Sequence, residues 1–160
     1  TSAFRQRNEW NMDIVAILSR WAHVGAAVVL VGGTVFMRFA LMPAAKELPE
    51  DVHNSLRERV MGNWRKIVGI AILLLLLSGI ANFFFVLKDK PRLEEHKSLY
   101  HSLIGIKIIL AMVVFFLASA LSGRAKGLEG LRKKSGFWMG LNLTLAAIII
   151  AIAGYLKVAV

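Results

Sequence analysis

The chain of 160 residues has no cysteine. That absence excludes disulfides, thiolate metal centres and covalent c-type haem attachment, and it leaves histidine and methionine as the soft or borderline metal ligands. Proline is scarce, with three residues, all outside the long apolar runs, so nothing forbids long unbroken helices there. Acidic residues are few: ten, against twenty lysines and arginines, for a net charge of +10. In a soluble protein that excess would point to nucleic acid. No nucleic-acid partner is expected here, because the charge falls mainly between apolar runs, where it sits at a membrane surface. Linkers, repeat arrays and low-complexity tails are missing too, and the length leaves no room for a separate soluble domain.

What the chain has is apolar length. Hydrophobic residues make up 57% of it, gathered in runs over 21–42, 67–87, 103–121 and 137–156. Each run is long enough to cross a hydrocarbon core roughly 30 Å thick at about 1.5 Å per residue. The expected fold is all-α: one transmembrane domain over 1–160, a four-helix up-and-down bundle in the lipid bilayer. The first run is too long for a signal peptide, is interrupted by Arg38 and precedes no small-residue cleavage site, so it is read as a retained span.

An even number of spans puts both termini on one side, with the loop over 88–100. That side carries 8 lysines and arginines, the side of the first and third loops carries 11, and Lys107 remains inside a span. The positive-inside rule then places the first and third loops in the cytoplasm of a bacterial-type inner membrane and both termini outside.

Local signals add detail. The apolar positions Met12, Ile14, Val15, Ile17 and Leu18 predict that the first helix begins before the membrane and enters it near Arg20 and Trp21. Pro49, Glu50 and Asp51 read as a helix start, and Val52, Leu56, Val60 and Trp64 follow at spacings of four. They predict a short amphipathic helix on the cytoplasmic surface, leading into the second span. After Pro91, the polar stretch from Arg92 to Tyr100 reads as helical. The basic, glycine-rich segment over 122–135 reads as a tight connection. Gly25 and Gly32, Gly69 and Gly79, and the pair Gly136 and Gly140 mark where spans approach closely, for packing in lipid or around a flat cofactor.

Ionisable groups inside spans locate the chemistry. His23 lies two residues inside Trp21, and His101 follows Tyr100 at the head of the third span. The first and third helices of an up-and-down bundle run the same way, so both histidines are expected near the same, outer face. Two neutral imidazoles on separate helices suit axial ligation of a b-type haem; the alternative is a pair of interfacial polar side chains. Lys107 stands six residues deeper on the third span, about 9 Å at the helical rise. It faces a haem propionate or an anionic substrate, relays protons, or reaches back to the interface along a tilted helix. Arg20, three residues before His23, shares a similar face and suits a propionate or phosphate, or anchors the interface. Arg38 is read as snorkelling to headgroups, and His53 and His96 as solvated loop residues. Met37, Met42, Met61, Met112 and Met139 form no Met-x-x-x-Met pair, so packing explains them better than a copper path.

The segment from Ser19 to Gly33, with Trp21 and His23 ahead of a glycine-containing apolar run, resembles the first helix of the copper-resistance D (CopD) family and the related HemJ-type membrane proteins. Trp64-Arg-Lys-Ile before the second span, Gly-Ile-Lys107-Ile-Ile-Leu in the third and Leu-Asn142-Leu-Thr-Leu in the fourth extend the likeness over most of the chain. The resemblance implies a four-helix bundle linked with copper uptake or haem-binding redox chemistry; HemJ proteins are haem-binding protoporphyrinogen oxidases. Their third helix carries His-x-Lys. Lys107 matches that lysine, while Gly105 stands where the histidine would be and His101 lies four residues earlier.

The combined expectation is a membrane protein moving single electrons through haem b. His23 and His101 would be its ligands, Lys107 and Arg20 partners of its propionates or of a substrate, and Asn142 a supporting donor. Oxidoreductase activity would be a further property of that site. Copper handling and a cofactor-free structural subunit are the alternatives. Partners would be other membrane or redox subunits or a second copy.

Overall fold

The computed structural model describes the backbone of residues 2–88 and 97–159 and the side chains of 14–85, 102–125 and 127–156. Its elements are α1 (Ser2–Phe36), a π turn (Met37–Leu41), α2 (Met42–Ala45), α3 (Glu50–Lys88), α4 (Lys97–Ser122), a 3₁₀ turn (Lys126–Leu128), α5 (Glu129–Lys133) and α6 (Ser135–Ala159). No strand occurs among the described residues. Among them, four helices are long and apolar enough to cross a membrane, over Ile14–Ala45, Glu50–Phe85, Ser102–Ser122 and Ser135–Leu156. The chain is a helical, multi-pass membrane protein, as its apolar runs imply.

α1 packs most closely on α3, and α4 on α6, so the bundle is built from two antiparallel hairpins. α3 against α4, and more loosely α1 against α6, close the ring. The core follows from small and branched side chains: Ala26, Leu30, Val68, Ala71, Leu75, Val114 and Ala118 bury together, with Trp64 and Phe115 packed on them. Outward positions such as Val28, Ile70, Ile109 and Phe116 are large, apolar and exposed. In water they would be a liability; against acyl chains they have the right solvent.

Two elements differ from the sequence expectation. The amphipathic stretch after Pro49 is no separate surface helix: α3 runs unbroken from Glu50 to Lys88. With no proline inside it, extending an existing helix adds a hydrogen bond per residue, whereas a break would require a second nucleus. The third loop is not a bare tight turn either, since it holds the 3₁₀ turn and α5. The end of the first span widens for a local reason. Pro43 lacks an N–H and crowds the carbonyl four residues earlier, and the Met42 N–H instead reaches back five residues to the Met37 carbonyl. Residues 89–96, including Pro91 and His96, lie outside the described residues.

Close approach also falls elsewhere than the glycine spacing suggests. Gly25, Gly32, Gly69 and Gly140 have nothing within 4 Å of a built Cβ. Gly33 is where a Cβ would collide with the Trp64 indole, and Gly136 is where the Arg38 guanidinium lies against the helix. His53 is half-buried and donates from Nδ1 to the Ala45 carbonyl at 2.6 Å, tying the start of α3 to the end of α2.

Candidate functional site

A polar cluster sits within the apolar bundle where α1 crosses α3. His23 is half-buried, and its Nδ1 lies 2.9 Å from Ser78 Oγ. Ser78 is 6% exposed and has one hydroxyl proton, which its short contact with the Leu74 carbonyl takes up. The serine oxygen is therefore an acceptor for His23 Nδ1–H. With that proton on Nδ1, the neutral ring carries its unshared pair on Nε2, the form that ligates metal or accepts a proton. Ser19 Oγ donates to the Ser78 carbonyl at 3.3 Å, one turn before His23. Gly79 borders the ring, where even an added Cβ would stand 3.5 Å from His23 Cε1.

Lys107 completes the cluster from α4. It is half-buried and stands about level with His23. The backbone register explains why. Arg65 Nε donates to the Ser122 carbonyl at 2.9 Å, which levels those two residues. From that level, the 13 residues to Ser78 on α3 and the 15 to Lys107 on α4 span about 20 and 22 Å of helix. Histidine and lysine thus share a depth, although they come from helices that are not ring neighbours. No carboxylate pairs with Lys107 among the described residues. Keeping a lysine inside a span is costly, up to about 2.5 to 3.5 kcal/mol at a helix centre on insertion scales, so an anion is the natural complement of this group.

The other candidates separate from this pair. His101 belongs to the first turns of α4, and its side chain lies outside those described; its backbone is about 9 Å outward of Lys107 at the helical rise. Arg20 is exposed, one turn of α1 outward of His23. Asn142 is elsewhere: it is buried on α6 and lines a cavity at the other end of the bundle with Thr34, Met37 and Arg38. Eleven residues separate Thr34 from His23 on α1, about 16 Å of helix, so Asn142 is not a supporting donor to His23. Ser78 fills that role. A single serine in an apolar run carries no pattern of its own; only its level opposite His23 in an antiparallel hairpin could have singled it out.

The donor types present can be set against what a haem would need. A haem asks the chain for one or two axial nitrogens and cations for its propionates. His23 Nε2 and Lys107 are of those types, at one depth. No group of three or more His, Asp or Glu gathers among the described residues. Arg38 is half-buried, stacked over Phe39 at 5.7 Å and turned against Gly136. No protein-family model, curated protein or solved structure matches the chain.

Proposed function

We propose that this chain is a membrane redox protein that holds a b-type haem through His23 Nε2, with Lys107 as the cation facing a haem propionate or an anionic substrate. The observation that carries the reading is the Ser78 bond to His23 Nδ1, about level with a lysine that has no carboxylate partner among the described residues. An imidazole locked with Nε2 free, inside an apolar bundle, is arranged for ligation. A bound haem would supply one-electron transfer through its iron. The chain's own part is to orient the ligating ring through Ser78, to supply positive charge at Lys107 and to exclude water with the apolar side chains of α1, α3 and α4.

His101 keeps the role of second ligand only where it can reach His23's iron. Its outward offset on α4 argues against that, so His23 is the residue that would hold the group. Arg20, one turn outward, suits the second propionate. Two of the four segments that resemble CopD and HemJ proteins contain His23 and Lys107. The positive-inside count supports a bacterial-type inner membrane with termini outside. Electrons would then pass to or from another membrane or redox subunit, or a second copy of the chain.

Purification from haem-replete cells tests the reading. The expected product is red, with a b-type spectrum that changes on dithionite addition, haem extractable by acid acetone, and loss of colour in His23→Ala. A low-spin spectrum turned high-spin by His101→Ala would restore His101 as second ligand. A colourless preparation would sink the haem assignment, and stoichiometric copper in it would favour the copper reading.

A further inference from the structure

The end of the bundle opposite the His23 cluster holds a cavity of about 1000 Å³, open between the C-terminal ends of α1 and α4 and the N-terminal ends of α3 and α6. Its inner wall is apolar, from Met37, Met61, Val68 and Met139, and its charged lining is mainly cationic, from Arg38, Arg65, Arg124, Arg132 and Lys133, with Glu47, Glu58 and Glu129 also present. Among the described residues the one ion pair is Arg124 with Glu58, at 3.6 Å and well exposed. Arg38, Arg65 and Arg132 have no carboxylate in ion-pair range there. Arg65 and Arg132 are held by backbone carbonyls of Ser122, Gly123 and Ala125. Those bonds fix the position of each guanidinium while leaving other N–H groups to bind.

A basic rim alone would be a membrane-surface feature. Asn142 makes it more. Its side chain is 4% exposed, it lines the cavity, and its Oδ1 has no hydrogen-bond partner. Thr34, also in the wall, gives its hydroxyl proton to the Leu30 carbonyl and so offers Asn142 no donor. Buried amide oxygens are nearly always paired, so this unpartnered one calls for a donor, and the cavity that Asn142 lines is the space from which an occupant can supply it once the amide turns toward it. The occupant must therefore carry an anion for the arginines and a hydroxyl for the amide. Guanidinium groups match the oxygens of phosphate in paired bonds.

We propose that this cavity binds a hydroxyl-bearing phosphate ester, its phosphate held by Arg38 with Arg65 and Arg132, and its hydroxyl donating to Asn142 Oδ1. Such a group is carried by a glycerol-headed phospholipid or by a soluble polyol phosphate. The apolar wall accepts the hydrocarbon of the former. The inference is independent of haem, since the two sites lie at opposite ends of the bundle.

Binding to the purified full chain in neutral detergent tests it, read as saturable affinity for phosphatidylglycerol, phosphatidylcholine, glycerol 1-phosphate and inorganic phosphate. Phosphatidylglycerol or glycerol 1-phosphate should bind at least about tenfold more tightly than phosphatidylcholine or inorganic phosphate, since an open buried oxygen penalises a ligand without a donor. Binding of the lipid alone assigns a membrane source, and binding of glycerol 1-phosphate as well assigns a soluble one. Arg38→Gln should weaken the preferred probe about tenfold, the cost of one charge-assisted bond. Asn142→Leu, which removes the unpaired oxygen at similar size, should fold and lose the preference for the hydroxylated probe. Equal affinity for all four probes, or an unchanged preference in Asn142→Leu, overturns the proposal.

Discussion

At the scale of single residues, the site rests on a serine that spends its proton on its own helix. Because Ser78 bonds the Leu74 carbonyl, it can only accept from His23, and the histidine's orientation follows from the hydroxyl's. Ser78→Ala should leave the fold intact, because an alanine suits a helix and vacates little volume. It should weaken haem retention about 10- to 100-fold, the usual cost of losing the partner behind a ligating histidine; titration of apoprotein with hemin measures it. Lys107→Met tests the other half. If the lysine compensates an anion in a dry site, its loss leaves that charge unpaired, at a cost of about 3 to 5 kcal/mol in such pairs. Cofactor retention should then collapse while membrane insertion holds or improves. Lys107→Arg should be partly active. An unchanged spectrum, midpoint potential and activity in Lys107→Met would mark the lysine as a snorkelling side chain and remove it from the site. His23 and Lys107 were legible in the sequence because an ionisable group in an apolar run is conspicuous. Ser78 and the true place of Asn142 were not, because depth depends on the pairing register of helices, which apolar runs leave undetermined.

At the scale of elements, length and apolarity set the helices, and single residues set how they meet. The four spans could be read from hydropathy because a lipid-embedded segment must satisfy its backbone internally over a known thickness. Which glycine permits close packing could not be read from spacing. Gly32 and Gly33 are neighbours, yet they point a hundred degrees apart around α1, and only Gly33 faces the Trp64 indole. Gly33→Ala should therefore push Trp64 out of place and cost about 1 to 3 kcal/mol as an overpacked contact. Gly32→Ala meets open space and should be neutral or slightly stabilising through helix propensity. Thermal unfolding of the two variants in one detergent compares them directly. Equal midpoints would mean that the indole turns aside freely and that the α1 to α3 contact is not set at Gly33. The π turn is a second local device: it widens the helix before Pro43 in the stretch that carries Arg38, whose guanidinium lies against α6 at Gly136.

At the scale of the whole molecule, two tight hairpins meet along a looser seam, and the two polar features lie at opposite ends of it. The His23 and Lys107 cluster lies toward the end where α1 starts and α4 begins; the arginine-rimmed cavity lies at the end of the first and third loops. Sidedness therefore decides which compartment each can exchange with. The positive-inside rule assigns the more basic loops, and with them the cavity, to the cytoplasm. A reporter active only in the periplasm should then work when fused after Val160. Because the chain has no cysteine, Gly130→Cys introduces a unique label site next to the cavity, and it should resist an impermeant maleimide applied to intact cells while reacting after lysis. Inactive C-terminal fusions together with outside labelling of Gly130→Cys would invert the molecule. Such an inversion would turn the haem-proposed end to the cytoplasm, expose the cavity to the exterior, and leave soluble cytoplasmic phosphate esters without a route to Asn142.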